Sequence, residues 1–419
     1  MAREMLKRET DDMRRFLVLA FAPMLVAGCT WITRSSVPNK PALGSEGNAA
    51  STHPSLSQHG GVVAFDSSAS NLVANDTNAK GDVFIRDHVT NKTKRVSVND
   101  AGTQGNGASR DPAISDDGRY VAFETDASNL VPGGDTDGKS DIVVRDRVSG
   151  KTKVISIQPN GDPFTLDAID PAISGNGRFV SFNAYVEFMG FCCALTGPYV
   201  RDTTNNTTTR MPSTGGGLAF NGYPASLSDD GTRILYGQFA PLSDGTGDAS
   251  YGIAVADTTS ATIVANVASG TLSHQFQTYF NLGLSGDGHL AAVLYGSTSG
   301  GPLFTYDLNA PGLHEVFPNL GETRQVALSD DGGVIAFEAR LSGQNGWYVT
   351  DPAGSPPTNV STSGSGTPAS SVDTADLSGD GKWVTFATND PGMVSGDGNS
   401  VLDVFTRAVG ASQDGPTAP

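Results

Sequence analysis

The sequence predicts an all-β fold, a seven-bladed β-propeller built from four-stranded antiparallel blades. A Ser-x-x-Gly turn followed by an apolar strand recurs seven times at intervals of roughly 44 to 59 residues, which is typical of a repeat architecture. Gly, Ser, Thr, Asn and Asp are abundant, as short strands joined by tight turns require. The turns lie at Ser57–Gly60, Ser115–Gly118, Ser174–Gly177, Ser228–Gly231, Ser285–Gly288, Ser329–Gly332 and Ser378–Gly381.

The second repeat shows the plan of one blade. Asp111–Ser115 is predicted as the inner strand, and Tyr120–Phe123 follows the turn as the second strand. Asp141–Asp146 is apolar and β-branched, as a buried third strand should be, and Lys151–Ile157 alternates like a solvent-facing outer strand. The other second strands are predicted at Val62–Phe65, Phe179–Phe182, Ile234–Tyr236, Leu290–Leu294, Val334–Phe337 and Trp383–Phe386.

The last repeat lacks an outer strand of its own. After its third strand, Val401–Arg407, the chain enters a segment rich in Gly, Pro and Ser. The residues around Ile32–Val37 resemble the outer strand of the first repeat, so we expect them to complete blade seven and remove its free edge. The propeller is therefore predicted over residues 29–409, followed by a flexible tail at 410–419.

The repeats resemble the WD-like propeller repeats of TolB-type periplasmic proteins over Thr30–Val409. The matching positions are the Ser-x-x-Gly turns and the third strands, which end at Asp87, Asp146, Asp202, Asp257, Asp307 and Asp351. The resemblance implies the propeller fold and suggests protein partners in the cell envelope. This chain shows no separate N-terminal α/β domain of the kind that TolB has.

Residues 1–28 are interpreted as a targeting segment. Arg14 and Arg15 precede the apolar run Phe16–Ala27, which is too short to span a bilayer comfortably, and translation is expected to begin at Met13. Leu25–Cys29 looks like a bacterial lipobox, which implies that Cys29 becomes lipidated and anchors the protein. An ordinary signal peptide with an accidental Cys is the alternative. Thr30 favours the outer membrane, facing the periplasm or the cell surface.

The charge and the cysteines narrow the classes of function. The formal net charge is −17, and no basic stripe is present, so the sequence predicts no nucleic-acid partner. Apart from Cys29, the cysteines are the adjacent pair Cys192 and Cys193. Adjacent cysteines cannot form an ordinary long-loop disulfide, which leaves two thiols or a strained vicinal ring.

Three acidic loops between second and third strands are candidate metal sites. They repeat a pattern of oxygen ligands at i and i+2 with a later carboxylate in a loop that contains Gly, as a hard cation such as Ca²⁺ requires. The alternative is a set of Asx turns that only shape the loops. The residues are Asp76, Asn78 and Asp82; Asp135, Asp137 and Asp141; and Asp397, Asn399 and Asp403.

A second candidate is an apolar connection in blade three, Asn183–Gly197. We interpret it as a top-face loop that binds a partner, or alternatively as a cap packed over the blade. The residues proposed for partner contact are Tyr185, Phe188, Met189, Phe191 and Leu195.

Catalysis has little support in the sequence. None of the six histidines stands at a metal-ligand spacing, and no Gly-x-Ser-x-Gly elbow occurs. The sequence therefore favours a lipid-anchored, non-catalytic module that binds or scaffolds a protein or glycan of the cell envelope. Two alternatives stay open: a propeller hydrolase or lyase acting on peptide or carbohydrate at the channel mouth, and a calcium-stabilised structural lipoprotein. Acidic, His or Tyr groups converging at the mouth would favour the enzyme.

Overall fold

The protein is described by a computed structural model. The structure describes residues 31–40, 42, 44–131, 137–188, 191–214, 225–241, 249–272, 279–296, 300–321 and 323–410. These residues form seven four-stranded antiparallel sheets arranged as the blades of a ring. No helix among them is long and apolar enough to cross a membrane. The predicted seven-bladed propeller is confirmed.

The blades follow one another along the chain, each from inner to outer strand. Blade one holds β2 (Ser51–Leu56), β3 (Val62–Ser67), β4 (Asp82–Asp87) and β5 (Lys92–Arg95), and blade two holds β6 (Ser109–Ile114), β7 (Tyr120–Thr125), β8 (Asp141–Asp146) and β9 (Lys151–Val154). Blade three holds β10 (Ala168–Ile173), β11 (Phe179–Phe188), β12 (Phe191–Asp202) and β13 (Thr207–Arg210), and blade four holds β14 (Ser226–Leu227), β15 (Arg233–Pro241), β16 (Ala249–Asp257) and β17 (Thr262–Leu272).

Blades five and six keep this order. Blade five holds β18 (Tyr279–Leu284), β19 (Leu290–Gly296), β20 (Leu303–Asp307) and β21 (Leu313–Phe317), and blade six holds β22 (Val326–Leu328), β23 (Ile335–Leu341), β24 (Gln344–Thr350) and β25 (Thr358–Asn359). Blade seven holds β26 (Ala375–Leu377), β27 (Trp383–Thr388), β28 (Asp403–Ala408) and the first strand of the chain, β1 (Ile32–Arg34).

The predicted closure of the ring is confirmed. β1 pairs antiparallel with β28, with Ile32 opposite Arg407 and Arg34 opposite Phe405. Trp31 extends this contact: its ring lies edge-on to Trp383 at 5.3 Å and to His88 of blade one at 5.6 Å. The N-terminal strand therefore joins the first and last blades.

The seven Ser-x-x-Gly turns share one geometry, which explains why the motif repeats. In each turn, the Ser hydroxyl is buried and accepts a hydrogen bond from the backbone N–H that begins the second strand. The Gly has a positive φ of 65° to 72°, which a residue without a Cβ adopts at little cost. We call the side of the ring that carries these turns the bottom face.

The hydrophobic core is divided among the gaps between blades. One cluster packs Val62, Ala64 and Ile85 of blade one against Val121 and Phe123 of blade two, and six similar clusters follow around the ring. Each blade is thus held by its two neighbours, and the inner strands surround a central channel.

Several predicted bounds are wrong: the inner strand of blade two is Ser109–Ile114 and the third strand of blade seven is Asp403–Ala408. The outer strand of blade two ends at Val154 rather than Ile157, because the Ser156 hydroxyl accepts the hydrogen bond from Ile142 N–H and ends the regular ladder. The connection at Asn183–Gly197 is not a loop: β11 and β12 continue as a hairpin, with Tyr185 opposite Leu195 and Phe188 opposite Phe191. Its aromatic and β-branched residues favour strand, which the spacing of the repeats did not reveal.

Candidate functional site

The top mouth of the channel carries an unusual backbone feature in three adjacent blades. The inner strands of blades one, two and three each break register and place a non-glycine residue at positive φ, directly before a proline. These residues are His53, Asp111 and Asp170, with φ of 46°, 50° and 57°. Such conformations are uncommon and cost free energy, and His and Asp are among the residues that tolerate them. The bulges place three polar side chains at one end of the channel.

His53 lies between two carboxylates. Its Nδ1 is 2.7 Å from Asp66 Oδ1 and 3.3 Å from Asp111 Oδ1, and Thr52 Oγ1 donates to the second oxygen of Asp66. Desolvation lowers the pKa of His53, but the hydrogen bond to Asp66 and the charges of Asp66, Asp111 and Asp373 outweigh it and raise the pKa to about 9. The imidazole is therefore protonated near neutral pH.

A second charged group lies beside the first in blade two. Arg110 pairs with Glu124 and with Asp126, where Nη1 is 2.9 Å from Oδ2. Glu124 is almost fully buried and also accepts a hydrogen bond from Ser140. We call His53, Asp66, Arg110, Asp111, Glu124, Asp126 and Asp170 the mouth cluster. Its five carboxylates exceed its two cations, so the mouth is acidic.

Blade three completes the mouth cluster on its other side. Asn183 Nδ2 donates to Asp170 Oδ2 at 3.2 Å, and Asn183 takes the position that Glu124 and Asp66 hold in blades two and one. Burial and the neighbouring charge of Asp111 raise the pKa of Asp170, while the bond from Asn183 opposes this. β11 and β12 then continue beyond the mouth.

The mouth cluster contains one trio that could hold a metal ion. The ligand atoms of His53, Asp66 and Asp111 lie within 4.8 Å of one another. Two carboxylates and one imidazole suit Zn²⁺ or Mn²⁺, provided that the imidazole loses its proton. In the part of the chain that the structure describes, this is the single such group. The protonated His53 has no spare base nitrogen at Nδ1, so without a metal the trio supplies a fixed charge pattern rather than a general base.

Sequence reasoning did not find this cluster. Its members come from different strands and blades, so no local spacing brings them together, and the histidines of the sequence form no sequential ligand pattern. A signal was nevertheless present: aligned repeats read His53-Pro54, Asp111-Pro112 and Asp170-Pro171 at the same inner-strand position. A polar residue before proline, repeated on an inner strand, marks a bulge facing the channel.

The acidic loops of blades one and seven surround arginines of the same blade. Arg95 lies 3.1 Å from Asp76 and 3.4 Å from Asp82. In blade seven, Arg34 lies 3.4 Å from Asp397 and 3.6 Å from Asp403. Each guanidinium also lies 5.9 Å from the ring of the phenylalanine opposite it, Phe84 or Phe405. Each arginine offsets part of the carboxylate charge of its loop, and Arg34 also pairs with Glu46 at 3.1 Å.

The middle residue of each acidic loop has defined hydrogen-bond partners. Asn78 and Asn399 each accept a backbone N–H two residues on, and each donates to a backbone carbonyl, of Gly105 or Gly47. In blade two, Asp137 accepts the N–H of Lys139 in the same way, and Asp135 lies outside the described residues. The Asx-turn geometry is thus present in all three loops, and calcium binding there stays a prediction.

At the bottom of the channel, the seven turns are joined into a ring. Backbone hydrogen bonds link each turn to the next around the whole ring, for example Gln58 N–H to Asp116 C=O and Asp380 N–H to Gln58 C=O. Above them lies a channel cavity of about 270 Å³. Carboxylates and glycines alternate at its floor in the order Asp116, Gly175, Asp229, Gly286, Asp330 and Gly379. Gln58 holds the equivalent position in the first turn.

The carboxylates on this floor affect one another's protonation. Burial, followed by the charges of Asp116 and Asp330, raises the pKa of Asp229 to about 7. Burial, followed by the charge of Asp330, raises that of Asp116 to about 6. The channel floor is therefore partly protonated near neutral pH.

The residues predicted for partner contact lie in or beside one hairpin. Tyr185 is half-buried in the hairpin of blade three, and Phe188, Phe191 and Leu195 belong to the strands of the same hairpin. Met189 and Cys29 lie outside the described residues. Their roles in partner binding and lipidation stay predictions.

Solved β-propellers are similar to this chain at low sequence identity. The propeller domain of the Trilobed protease from Pyrococcus furiosus has a TM-score of 0.51 and 14% identity, with 86% of this chain and 93% of that chain covered. A chain of the Mitotic Checkpoint Complex has a TM-score of 0.51 and 11% identity, with 90% of each chain covered.

TolB from Acinetobacter baumannii is also similar, with a TM-score of 0.41 and 15% identity over 71% of this chain. The similarity spans 62% of the TolB chain, less than two thirds of its length. No protein-family model and no curated protein sequence matches this chain. At these identities the comparisons support the fold alone, which the blades themselves establish as a seven-bladed β-propeller.

Proposed function

We propose that this chain is a lipid-anchored, non-catalytic binding module of the cell envelope, and that it takes a protein partner at the top mouth of its channel. The observation that carries the proposal is the repeated bulge, which holds His53, Asp111 and Asp170 in strained conformations at one rim. Backbone strain that recurs at one place in a structure is a reason to infer function there. The acidic mouth suits a basic segment of a partner.

The position of the predicted anchor supports an orientation in which the mouth cluster faces away from the membrane. Trp31 lies at the bottom face, where its carbonyl accepts the N–H of Ala408 and its ring meets Trp383. Cys29 is two residues earlier, so at about 3.5 Å per residue the lipid would attach within roughly 7 Å of that face. The bottom face would then rest near the bilayer, and the mouth cluster would look away from it.

The binding proposal is tested by recovering partners of the lipidated protein from solubilised envelopes. The test variant, Asp111→Asn with Asp170→Asn, removes two mouth charges, and the control, Val148→Ser, changes an exposed side chain at the bottom face. We expect a discrete protein recovered by wild type and control and lost with the mouth variant, and lost from the wild type as salt is raised. Equal recovery by all three would contradict the proposal.

The anchor has its own test. Cells fed a labelled fatty acid should transfer label to the wild-type protein and not to the Cys29→Ser variant. Label on both proteins, or on neither, would contradict lipidation at Cys29.

The second candidate function is metal-assisted hydrolysis at the same mouth. The convergence of His53, Asp66 and Asp111 is the kind of arrangement that favours an enzyme, and it takes second place because His53 is protonated near neutral pH. Here the metal would be held by these three side chains and would activate a water. Titration of Zn²⁺ into the purified protein tests it: saturable binding to wild type that His53→Gln abolishes would support the enzyme. If Zn²⁺ does not bind, the hydrolysis candidate is contradicted, and the proposal of a charged recognition site at the mouth stands alone.

A further inference from the structure

The residue that follows the third strand takes the same place in blades one, two and three. Its backbone N–H donates to the carbonyl of the residue just before the second strand of the same blade: His88 to Gly61, Arg147 to Arg119, and Thr203 to Arg178. We call this place the joint position, because the blade meets the preceding blade there. It holds a large side chain in blades one and two, and a small one, Thr203, in blade three.

At the joint of blades seven and one, the joint position is surrounded by residues of blade seven and by Trp31. His88 Nε2 lies 3.3 Å from Ser35 Oγ and 3.3 Å from Thr406 Oγ1. The ring of Trp31 lies edge-on to His88 at 5.6 Å and to Trp383 at 5.3 Å. An imidazole and an indole therefore occupy the space between these two blades.

The joint of blades two and three has the same strand register without these two rings. β9 pairs with β8 as β1 pairs with β28, and β7 pairs with β8 as β27 pairs with β28. The places of Trp31, Thr33, Ser35, Trp383 and Thr406 are thus taken by Lys151, Lys153, Ile155, Tyr120 and Val144, in that order. A lysine replaces the indole, and Thr203 replaces the imidazole.

The joint of blades two and three contains open space. A cavity of about 380 Å³ lies between the outer strand of blade two and the turn that begins at Thr203. Val144 and Ile155, which are buried, and the half-buried ring of Tyr120 supply its apolar wall. A concave site of this volume with an apolar wall and a few polar groups is typical of small-molecule binding.

The charges around this cavity favour an anion. Asp146, the single carboxylate among the described lining residues, accepts two hydrogen bonds from the guanidinium of Arg119, at 2.9 and 2.7 Å. Lys151 pairs with Asp100 at 2.8 Å, whereas Lys153 has no ion-pair partner among the described residues. The unbalanced charge at the cavity is therefore the ammonium group of Lys153.

We propose that this cavity binds a small aromatic anion, with its ring in the place that Trp31 and His88 fill at the joint of blades seven and one. The ring would lie against Tyr120, and the anionic group would pair with Lys153. A neighbouring aromatic ring adds to the stabilisation that apolar burial gives, and the lysine selects the sign of the ligand's charge. The cavity lies toward the bottom face, apart from the mouth cluster, so the inference goes beyond the proposed function.

The experiment is a calorimetric titration of the full chain with three probes: indole-3-acetate, tryptamine and acetate. The first carries both the ring and the anion, the second carries the same ring with a positive charge, and the third carries the anion without a ring. We expect one-to-one binding of indole-3-acetate, binding of tryptamine weaker by about tenfold or more, and no measurable binding of acetate. Failure of indole-3-acetate to bind, or equal binding of tryptamine, would overturn the proposal.

Two variants locate the site. Lys153→Gln should weaken the binding of indole-3-acetate about threefold to fivefold, as the loss of a partly exposed ion pair does. Lys94→Gln is the matched control, because Lys94 lies opposite Ile85 in blade one as Lys153 lies opposite Val144 in blade two, and it should leave the binding unchanged.

The second variant, Thr203→Arg, supplies the residue that blade two carries at its own joint position, Arg147. We expect this protein to fold with a Tm close to that of wild type and to bind no indole-3-acetate, because the guanidinium fills the cavity. Undiminished binding to either Lys153→Gln or Thr203→Arg would contradict the assignment of the site to this joint.

Discussion

At the scale of single residues, the buried serine of each turn explains why the repeat is visible in the sequence. Ser115 is fully buried; its hydroxyl donates to Asp117 and accepts the N–H of Tyr120. The serine accepts a backbone N–H in all seven turns, and in six of them it also donates to the Asp or Asn two residues on, so the chain needs a small hydroxyl residue there seven times. A Ser-x-x-Gly motif therefore marks a fixed geometry, which allows the number of blades to be counted from the sequence.

Replacing Ser115 with Ala should destabilise the protein by about 1–3 kcal/mol, because a buried N–H loses its acceptor. Urea unfolding followed by circular dichroism measures this. Ser149→Ala is the control, since that hydroxyl is exposed and its loss should change the free energy of unfolding by less than about 0.5 kcal/mol. Equal effects of the two substitutions would contradict the structural role of the turn serine.

The carboxylates of the channel floor make stability depend on pH. The pKa of Asp229 is about 7 in the folded protein, above the value of an unfolded Asp, so the folded state binds more protons. Its contribution is full below about pH 4 and is lost as pH rises through 7. We therefore expect Tm to fall between pH 5 and pH 8, with a smaller fall in Asp229→Asn. An identical pH profile for the variant would contradict this.

Residue types alone did not predict the mouth cluster. His53 and Asp111 belong to different blades, and they meet only because the ring closes and both inner strands bulge at the same level. Each turn contains the same local interaction, so each can be identified in the sequence independently of the others. The mouth cluster combines residues of neighbouring repeats. Predicting which of these residues face each other requires an alignment of the repeats in register.

At the scale of elements, the outer strands of blades one and seven supply the arginines that offset the negative charge of the acidic loops. Arg95 at the end of β5 and Arg34 at the end of β1 both reach the loop of their own blade. The loop pattern was predicted as a candidate calcium site because oxygen ligands recur at metal-like spacing. The arginine lies on another strand and is visible only once the strand register is known.

Replacing Arg95 with Gln should destabilise the protein by about 3–5 kcal/mol, since it leaves buried carboxylates without a cation. Arg210→Gln is the matched control, because Arg210 holds the same place opposite Tyr199 in blade three but is exposed. The free energies of unfolding in urea provide the comparison. A loss below about 1 kcal/mol for Arg95→Gln would mean that the pair does not support the blade.

The closing strand β1 and the adjacent Trp31 should contribute measurably to stability. Trp31→Ala removes the edge-on contacts with Trp383 and His88 and should cost on the order of 2 kcal/mol. Deleting residues 31–37 should lower Tm further, because β28 then becomes a free edge. Scanning calorimetry measures both, with Val89→Ser as an exposed control. A deletion variant that melts at the wild-type temperature would contradict closure by β1.

At the scale of the whole molecule, the ring has two different faces. The turns of the bottom face are linked by hydrogen bonds around the ring, and this face carries Trp31, whereas the described residues of the top face carry the acidic mouth cluster and the extended hairpin of blade three. The number of blades, their order and the closing strand followed from the sequence, because each depends on local repeats. The difference in charge between the two faces did not follow from the sequence, because it depends on where strands from separate repeats end.

The most direct test of a top-face binding module is site-specific photo-cross-linking of the lipidated protein in cells. A photoreactive residue replaces either Asp126 at the mouth or Val89 in a bottom-face turn, both of which are exposed. We expect one discrete protein adduct from position 126, lost when Asp111→Asn and Asp170→Asn are added, and none of that size from position 89. An adduct from position 89 alone, or an adduct at 126 that survives the two substitutions, would contradict recognition at the mouth.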